Sequence, residues 1–90
     1  MPHGYVVING TAKIGKNVTI LQYCTIGDEG AEIEDGVAIG AGSSVIGAVH
    51  IGKNAVIGAG AVVVKDIPDN AVAVGVPARV IKIREAAKQP

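Results

Sequence analysis

Residues 33–64 read IEDGVAIGAGSSVIGAVHIGKNAVIGAGAVVV, and along them an aliphatic residue returns every six positions, at Ile33, Ile39, Val45, Ile51, Ile57 and Val63. Four residues after each comes a small or β-branched one: Val37, Ser43, Val49, Ala55, Ala61 and then Ile67. Gly36, Gly42, Asn54 and Gly60 stand at the third place after the aliphatic residue. These are residue types that tolerate a positive φ where a chain must turn. A period of six is too short for a helical repeat and too long for plain strand alternation. It fits a short strand plus a corner, three such units closing one triangular coil of a parallel β-helix.

Worked outward from this stretch, the hexads extend back to Pro2, Ile8, Ile14, Ile20 and Ile26, and the last of these is one residue long before Ile33. The excess falls at Asp28 to Glu32, inside an acidic cluster of Asp28, Glu29, Glu32, Glu34 and Asp35, and predicts a small loop at one corner. Full coils are expected to start at Ile14, Ile33 and Ile51, after a partial coil over residues 2–13. Forward, the repeat is read as ending near Lys65, where Asp66-Ile67-Pro68-Asp69-Asn70 has the composition of a turn. Residues 1–66 are therefore assigned to the β-helix and residues 67–90 to a C-terminal extension. In that extension Ala71 to Val76 is expected to run extended, and Val80 to Lys88 to form a short strand or frayed helix.

Composition agrees with a narrow coil. The chain of 90 residues has no Phe or Trp, yet 49% of it is apolar, so the interior must be filled by Ile, Val and Ala. The formal net charge of zero argues against nucleic acid or an anionic membrane as partner. A single cysteine excludes an internal disulfide and fits a reducing compartment, with the cytoplasm the expected location. Cys24 stands at the small inward place of its hexad and is expected to be buried. Asn9-Gly10-Thr11 and Asn17-Val18-Thr19 match the glycosylation triplet but read as corner residues. Thr11, Thr19 and Thr25 fall on different faces, which excludes the threonine ladder of an ice-binding solenoid.

Hexads three apart share a face, so those starting at Pro2, Ile20, Ile39 and Ile57 form one column. Their next two residues are His3-Gly4, Leu21-Gln22, Gly40-Ala41 and Gly58-Ala59. A potential base thus heads a column whose lower rungs carry little side chain, which suits a long, thin ligand bonded to backbone. Lys65, Arg79 and Lys82 lie toward the opposite end, where an anion would be received, although a solvated surface accounts for them equally. His50 is expected to point outward on the face of the shortened loop.

The runs IGAGSSVIG, IGKNAVIGAGAVVVKDIPDN and GVPARVI, with His3-Gly4 and NVTILQYCTIG before them, resemble the hexapeptide-repeat acyltransferases, and among these the catalytic domain of serine acetyltransferase. The resemblance implies a left-handed parallel β-helix, a homotrimer with sites between subunits, and acetyl transfer from acetyl-CoA to a hydroxyl. It implies His3 as the general base that takes the acceptor proton. It also implies that Ala41 and Ala59 meet the cofactor through main chain; Gly40 and Gly58 in the same column, and Lys65, Arg79 and Lys82 toward the end where its phosphates would lie, complete the expected cofactor site. No metal is expected, since two histidines cannot supply the three-His zinc site of the carbonic anhydrases that share this fold. The family pattern His-Gly-Thr-Gly is His3-Gly4-Tyr5 here, Pro2 stands where Asp is usual, and only Gly-Asp-Glu-Gly-Ala-Glu separates Ile26 from Ile33 in place of a long Gly-rich loop. The acceptor therefore stays open between serine and a sugar hydroxyl. A non-catalytic trimeric scaffold is the alternative of a different class, and end-to-end stacking of trimers through the first coil is a further expectation.

Overall fold

The computed structural model describes residues 6–8, 10–27 and 30–84. His3, the expected base, lies outside the described residues. Every regular element among those described is a strand: β1 (Val7–Ile8), β2 (Lys13–Ile14), β3 (Thr19–Ile20), β4 (Thr25–Ile26), β5 (Glu32–Ile33), β6 (Ala38–Ile39), β7 (Ser44–Val45), β8 (His50–Ile51), β9 (Val56–Ile57), β10 (Val62–Val63), β11 (Ala71–Val74) and β12 (Arg79–Ile83). They stack as the three faces of a left-handed parallel β-helix of about 4 turns. One face runs β1-β4-β7-β10, the second β2-β5-β8, and the third β3-β6-β9-β11-β12. No helix long and apolar enough to cross a membrane is present among the described residues.

The hexad places the core. Ile33, Ile39, Val45, Ile51, Ile57 and Val63 are buried, as are Val37, Ser43, Val49, Ala55 and Ala61 four residues after each. Each two-residue strand contributes one inward residue flanked by outward ones, and the second inward place closes the corner that precedes the next strand. Fully burying an Ile in this column contributes about 1.5–3 kcal/mol. Corners are made by residues with positive φ: Asn17 (58°), Gly36 (75°), Gly42 (75°), Asn54 (60°), Gly60 (72°) and Asn70 (62°). Tyr23 holds the same conformation at 63°, where a side chain other than Asn or Asp is uncommon.

Coil lengths differ in an informative way. Ile14 stacks on Ile33 across a coil one residue longer than the strict repeat, Ile33 on Ile51 across a coil that keeps it, and Ile51 on Ile67 across a coil two residues shorter. The repeat therefore does not end at Lys65. It drops two residues after Val63 and resumes, with Ile67, Ala71 and Ala73 all buried in the inward places. A side chain mends the shortened corner. Where Glu32 N–H donates to the Val49 carbonyl at 2.9 Å, His50 N–H donates to Asp66 Oδ1 at 2.9 Å. The carboxylate thus stands in for a backbone carbonyl that the dropped residues would have supplied.

β11 pairs parallel with β9, and β12 returns antiparallel beside β11. The strand alternative for the basic segment is therefore the one adopted, up to Ile83. Between the two strands Gly75 has φ 99° and Val76-Pro77 is a cis peptide. The Gly75 carbonyl accepts from Val62 N–H at 3.0 Å, and Ala78 N–H donates to the Val62 carbonyl at 2.7 Å. The GVPAR segment thereby closes the outer edge of β10, and the hairpin covers the last coil. The first coil has no such cover among the described residues: Ile8 and Ile14 are exposed although they occupy the same inward places as the buried Ile26 and Ile33 below them.

Candidate functional site

The corner that follows the third face carries the column expected from the sequence. After β6 come Gly40 and Ala41, and after β9 come Gly58 and Ala59. Gly40 is there because nothing larger fits: a Cβ on it would lie 2.6 Å from Ala59 N and 2.9 Å from Ala59 Cα, both backbone atoms of the next coil. At Gly58 an added Cβ would meet Val74 Cγ1 at 2.7 Å. Gly40 N–H donates to the Ile57 carbonyl and Gly58 N–H to the Ala73 carbonyl, both at 2.8 Å, so the rungs are laid directly on one another.

Turn bonds set the direction of the peptide planes, Ser43 N–H donating to the Gly40 carbonyl at 3.3 Å and Ala61 N–H to the Gly58 carbonyl at 3.2 Å, and two inward side chains reinforce it. Ser43, fully buried, donates its hydroxyl to the Gly58 carbonyl at 2.7 Å, and the Cys24 thiol lies 3.1 Å from the Gly40 carbonyl. In a trans peptide the N–H points opposite to the C=O. With these carbonyls drawn into the coil, the following N–H groups of Ala41 and Ala59 face away from it, and among the described residues neither meets an acceptor. The corner is a shelf of two outward donors with only methyl groups beside them. Cys24 is buried as expected, and its thiol serves this geometry.

The basic residues divide. Val74, against Gly58, is the Cα partner of Arg79, so Gly40, Gly58, Val74 and Arg79 follow one line across the sheet. At roughly 4.8 Å per strand Arg79 stands about 10 Å beyond Gly58. Lys82 pairs with Val72 and lies on the parallel line through Val56 and Ala38. Lys65 is exposed at the next corner of the prism, between β10 and Ile67, and does not join that line within one chain.

The corner after the second face has the same backbone and different chemistry. Lys16 N–H donates to Asp35 Oδ1 at 2.8 Å and Lys53 N–H to Asp69 Oδ1 at 2.9 Å, so two of its rungs have their outward donors closed by a carboxylate from the next coil. Beside it, His50 Nε2 lies 2.7 Å from Glu34 Oε2, with Glu32 close by. The hydrogen bond to Glu34, aided by the charges of Glu34, Glu32 and Asp66, outweighs desolvation and holds the imidazole above its ordinary 6.5. His50 does point outward, but its link to Glu34 was not anticipated. The signal was present: Glu32 is the Cα partner of His50, and Glu34, two residues on and on the same outer side, lies on the diagonal from it.

Comparison with known proteins is consistent with this geometry. Residues 30–65 match the family described as bacterial transferase hexapeptide (six repeats). A serine acetyltransferase from Bacillus pumilus is 46% identical over 87 residues, which span 88% of this chain and 40% of that protein. The crystal structure of Neisseria gonorrhoeae serine acetyltransferase superposes with a TM-score of 0.82 at 43% identity, over 91% of this chain and 34% of that one. The structure of the Brucella abortus serine acetyltransferase in complex with coenzyme A gives 0.80 at 35% identity, over 90% of this chain and 35% of that one. The chain thus spans little more than a third of the length of the proteins it matches. It is a hexapeptide-repeat β-helix, and over the part of their length that it spans its relatives are serine acetyltransferases.

Proposed function

We propose that the chain is the cofactor-binding β-helix of an acetyl-CoA-dependent O-acetyltransferase of the serine acetyltransferase type, acting as a cytoplasmic homotrimer with its sites between protomers. The observation that carries this reading is the shelf of Ala41 and Ala59 N–H groups beside Gly40 and Gly58. A pantetheine arm is an extended chain with amide carbonyls and no charge. It needs outward backbone donors at strand spacing and no side chains in the way. Arg79 stands on the same line, with Lys82 beside it on the C-terminal extension, and both suit the phosphates at the far end of such a ligand. In this reading Lys65 reaches the phosphates of a site shared with a neighbouring protomer. The coenzyme A complex of the Brucella abortus relative supports the choice of ligand.

In the mechanism His3 acts as general base. Its neutral imidazole takes the proton of an acceptor hydroxyl as that oxygen attacks the thioester carbonyl. The C–S bond then breaks, and coenzyme A leaves as the thiolate, which recovers the proton from the imidazolium. An imidazole with pKa near ~6.5 suits both halves of this exchange at neutral pH. The acceptor is serine or a sugar hydroxyl, and no metal takes part in this step. The exposed apolar first coil supports end-to-end stacking of trimers, which light scattering at high concentration would detect as species heavier than a trimer.

The test is calorimetric titration of the purified chain with acetyl-CoA, repeated on His3→Ala and Arg79→Ala. The reading expects unchanged binding for His3→Ala, binding weakened about ten-fold for Arg79→Ala, and turnover with an acceptor that only His3→Ala abolishes without loss of binding. A folded trimer that binds no acetyl-CoA overturns it and leaves a trimeric scaffold as the function.

A further inference from the structure

The outward residues of the second face include a constellation that acetyl transfer does not use. Glu32 and Glu34 flank the inward Ile33 on β5 and therefore share the outer side of the sheet. His50 is the partner of Glu32 on the next strand, and its ring reaches diagonally to Glu34. One ligand atom from each of Glu32, Glu34 and His50 lies within 4.8 Å of the others. Among the described residues neither glutamate is paired with a lysine or arginine; the ion pair of Glu34 is with His50 itself. The charge therefore stays negative around an imidazole nitrogen. A cavity of about 300 Å³, lined by Lys13, Ile14, Gly15, Glu32, Ile33 and Glu34, opens beside the two carboxylates.

We propose that Glu32, Glu34 and His50 form a surface site for one divalent cation of the zinc class. Metal–ligand bonds of about 2.0–2.2 Å set neighbouring donors roughly 3–3.5 Å apart. His50 Nε2 and Glu34 Oε2, now 2.7 Å apart, need to separate by a few tenths of an ångström, and the exposed Glu32 to swing inward. Side-chain rotation alone accomplishes both, because the three residues stand on adjacent rungs of a rigid coil. The imidazole nitrogen selects zinc, nickel or cobalt over magnesium or calcium, which prefer all-oxygen sets. The partly exposed His50 and Glu34 side chains leave room for the water ligands that complete the shell. Lys13, the partner of Glu32 on the other side, is the one cation among the lining residues and limits the affinity to a moderate value. Asp66 lies behind His50, bonded to its backbone N–H, and adds negative charge without a free place in the shell.

The experiment is calorimetric titration of the whole 90-residue chain with zinc chloride at pH 7.5, with magnesium chloride as the comparison ion. The proposal expects one zinc per chain with a micromolar Kd, at least ten-fold weaker binding for His50→Ala and for Glu34→Gln, and unchanged binding for His3→Ala. The His50 ring proton resonances should shift with the first equivalent. No uptake, uptake that His50→Ala leaves unchanged, or equal uptake of magnesium overturns it. Glu34→Gln keeps the outer surface polar, so the test stands even if His50→Ala fails to fold.

Discussion

Two corners of the same prism repeat the same backbone and end in opposite chemistry. After the third face the chain places Gly40-Ala41 and Gly58-Ala59, turns their carbonyls inward to Cys24 and Ser43, and leaves two N–H groups facing out. After the second face it places Gly15-Lys16 and Gly52-Lys53 and closes the equivalent donors with Asp35 and Asp69. The turn bond is alike at both corners, Ala55 N–H to the Gly52 carbonyl at 3.3 Å and Ala61 N–H to the Gly58 carbonyl at 3.2 Å. The inward places differ, Cys24 and Ser43 at the open corner and Val18 and Val37 at the closed one. The lesson is that a hexapeptide coil separates its tasks: inward places determine the architecture, and the first two corner residues decide whether a face can receive a backbone-bonded ligand.

The sharpest way to break the contrast is to give the open corner a side chain. Gly40→Ala drives a methyl group into the Ala59 backbone, and overpacking of this kind costs about 1–3 kcal/mol. For a domain of this size that lowers the Tm by roughly 5–20 °C in thermal unfolding. Gly42→Ala is the control: it meets open space but must hold φ 75°, which costs about 1–2 kcal/mol. Its Tm should fall less than that of Gly40→Ala.

Next in size is Ser43→Ala. It leaves the inward Gly58 carbonyl without its hydroxyl donor, at a cost of about 1–3 kcal/mol. The Ala61 N–H, 3.2 Å from the same carbonyl, is then left to hold the Gly58-Ala59 peptide alone. Acetyl-CoA affinity should fall along with stability, read by calorimetry and denaturant unfolding on the same preparation. Asp69→Ala acts at the other corner. It exposes the Lys53 N–H to water and loses one exposed hydrogen bond, about 0.5–1.5 kcal/mol. Acetyl-CoA binding should be unchanged, and a loss of affinity there would erase the distinction between the corners.

The smallest effect concerns Glu34, which stands beside Asp35 at the closed corner. Its hydrogen bond raises the His50 pKa in the folded chain, so the pair stabilises the fold below the unfolded value of about 6.5. That contribution disappears as pH rises through the folded pKa. Glu34→Gln in chelator-treated protein should lower the His50 pKa toward ~6.5 by NMR titration. Its Tm deficit should be present at pH 5.5, absent at pH 8, and worth less than ~1 kcal/mol because both groups are partly exposed.

Much of this was legible in the chain. Inward positions recur every six residues, and Ile33, Val37, Ile39 and their successors are buried where the period puts them. The side-chain-poor column was also readable, because counting three hexads stacks Gly40 above Gly58. Resumption at Ile67 was not, since two dropped residues break the count and only a carboxylate standing in for a carbonyl, at Asp66, lets the coil close. Nor was the outward direction of the Ala41 and Ala59 donors, which depends on peptide planes held by turn bonds and reinforced by hydroxyl and thiol contacts across the coil. The Glu34–His50 link lay between the two: the register that joins their strands was countable, and the diagonal reach of the ring to Glu34 was not.

The most direct measurement is a proton–nitrogen correlation spectrum of the labelled chain titrated with coenzyme A. The account predicts that the amide resonances of Ala41 and Ala59 move together and saturate with one dissociation constant, while those of Lys16 and Lys53, already bonded to Asp35 and Asp69, stay in place. Movement of Lys16 and Lys53 with Ala41 and Ala59 unchanged would put the ligand at the wrong corner and contradict the account.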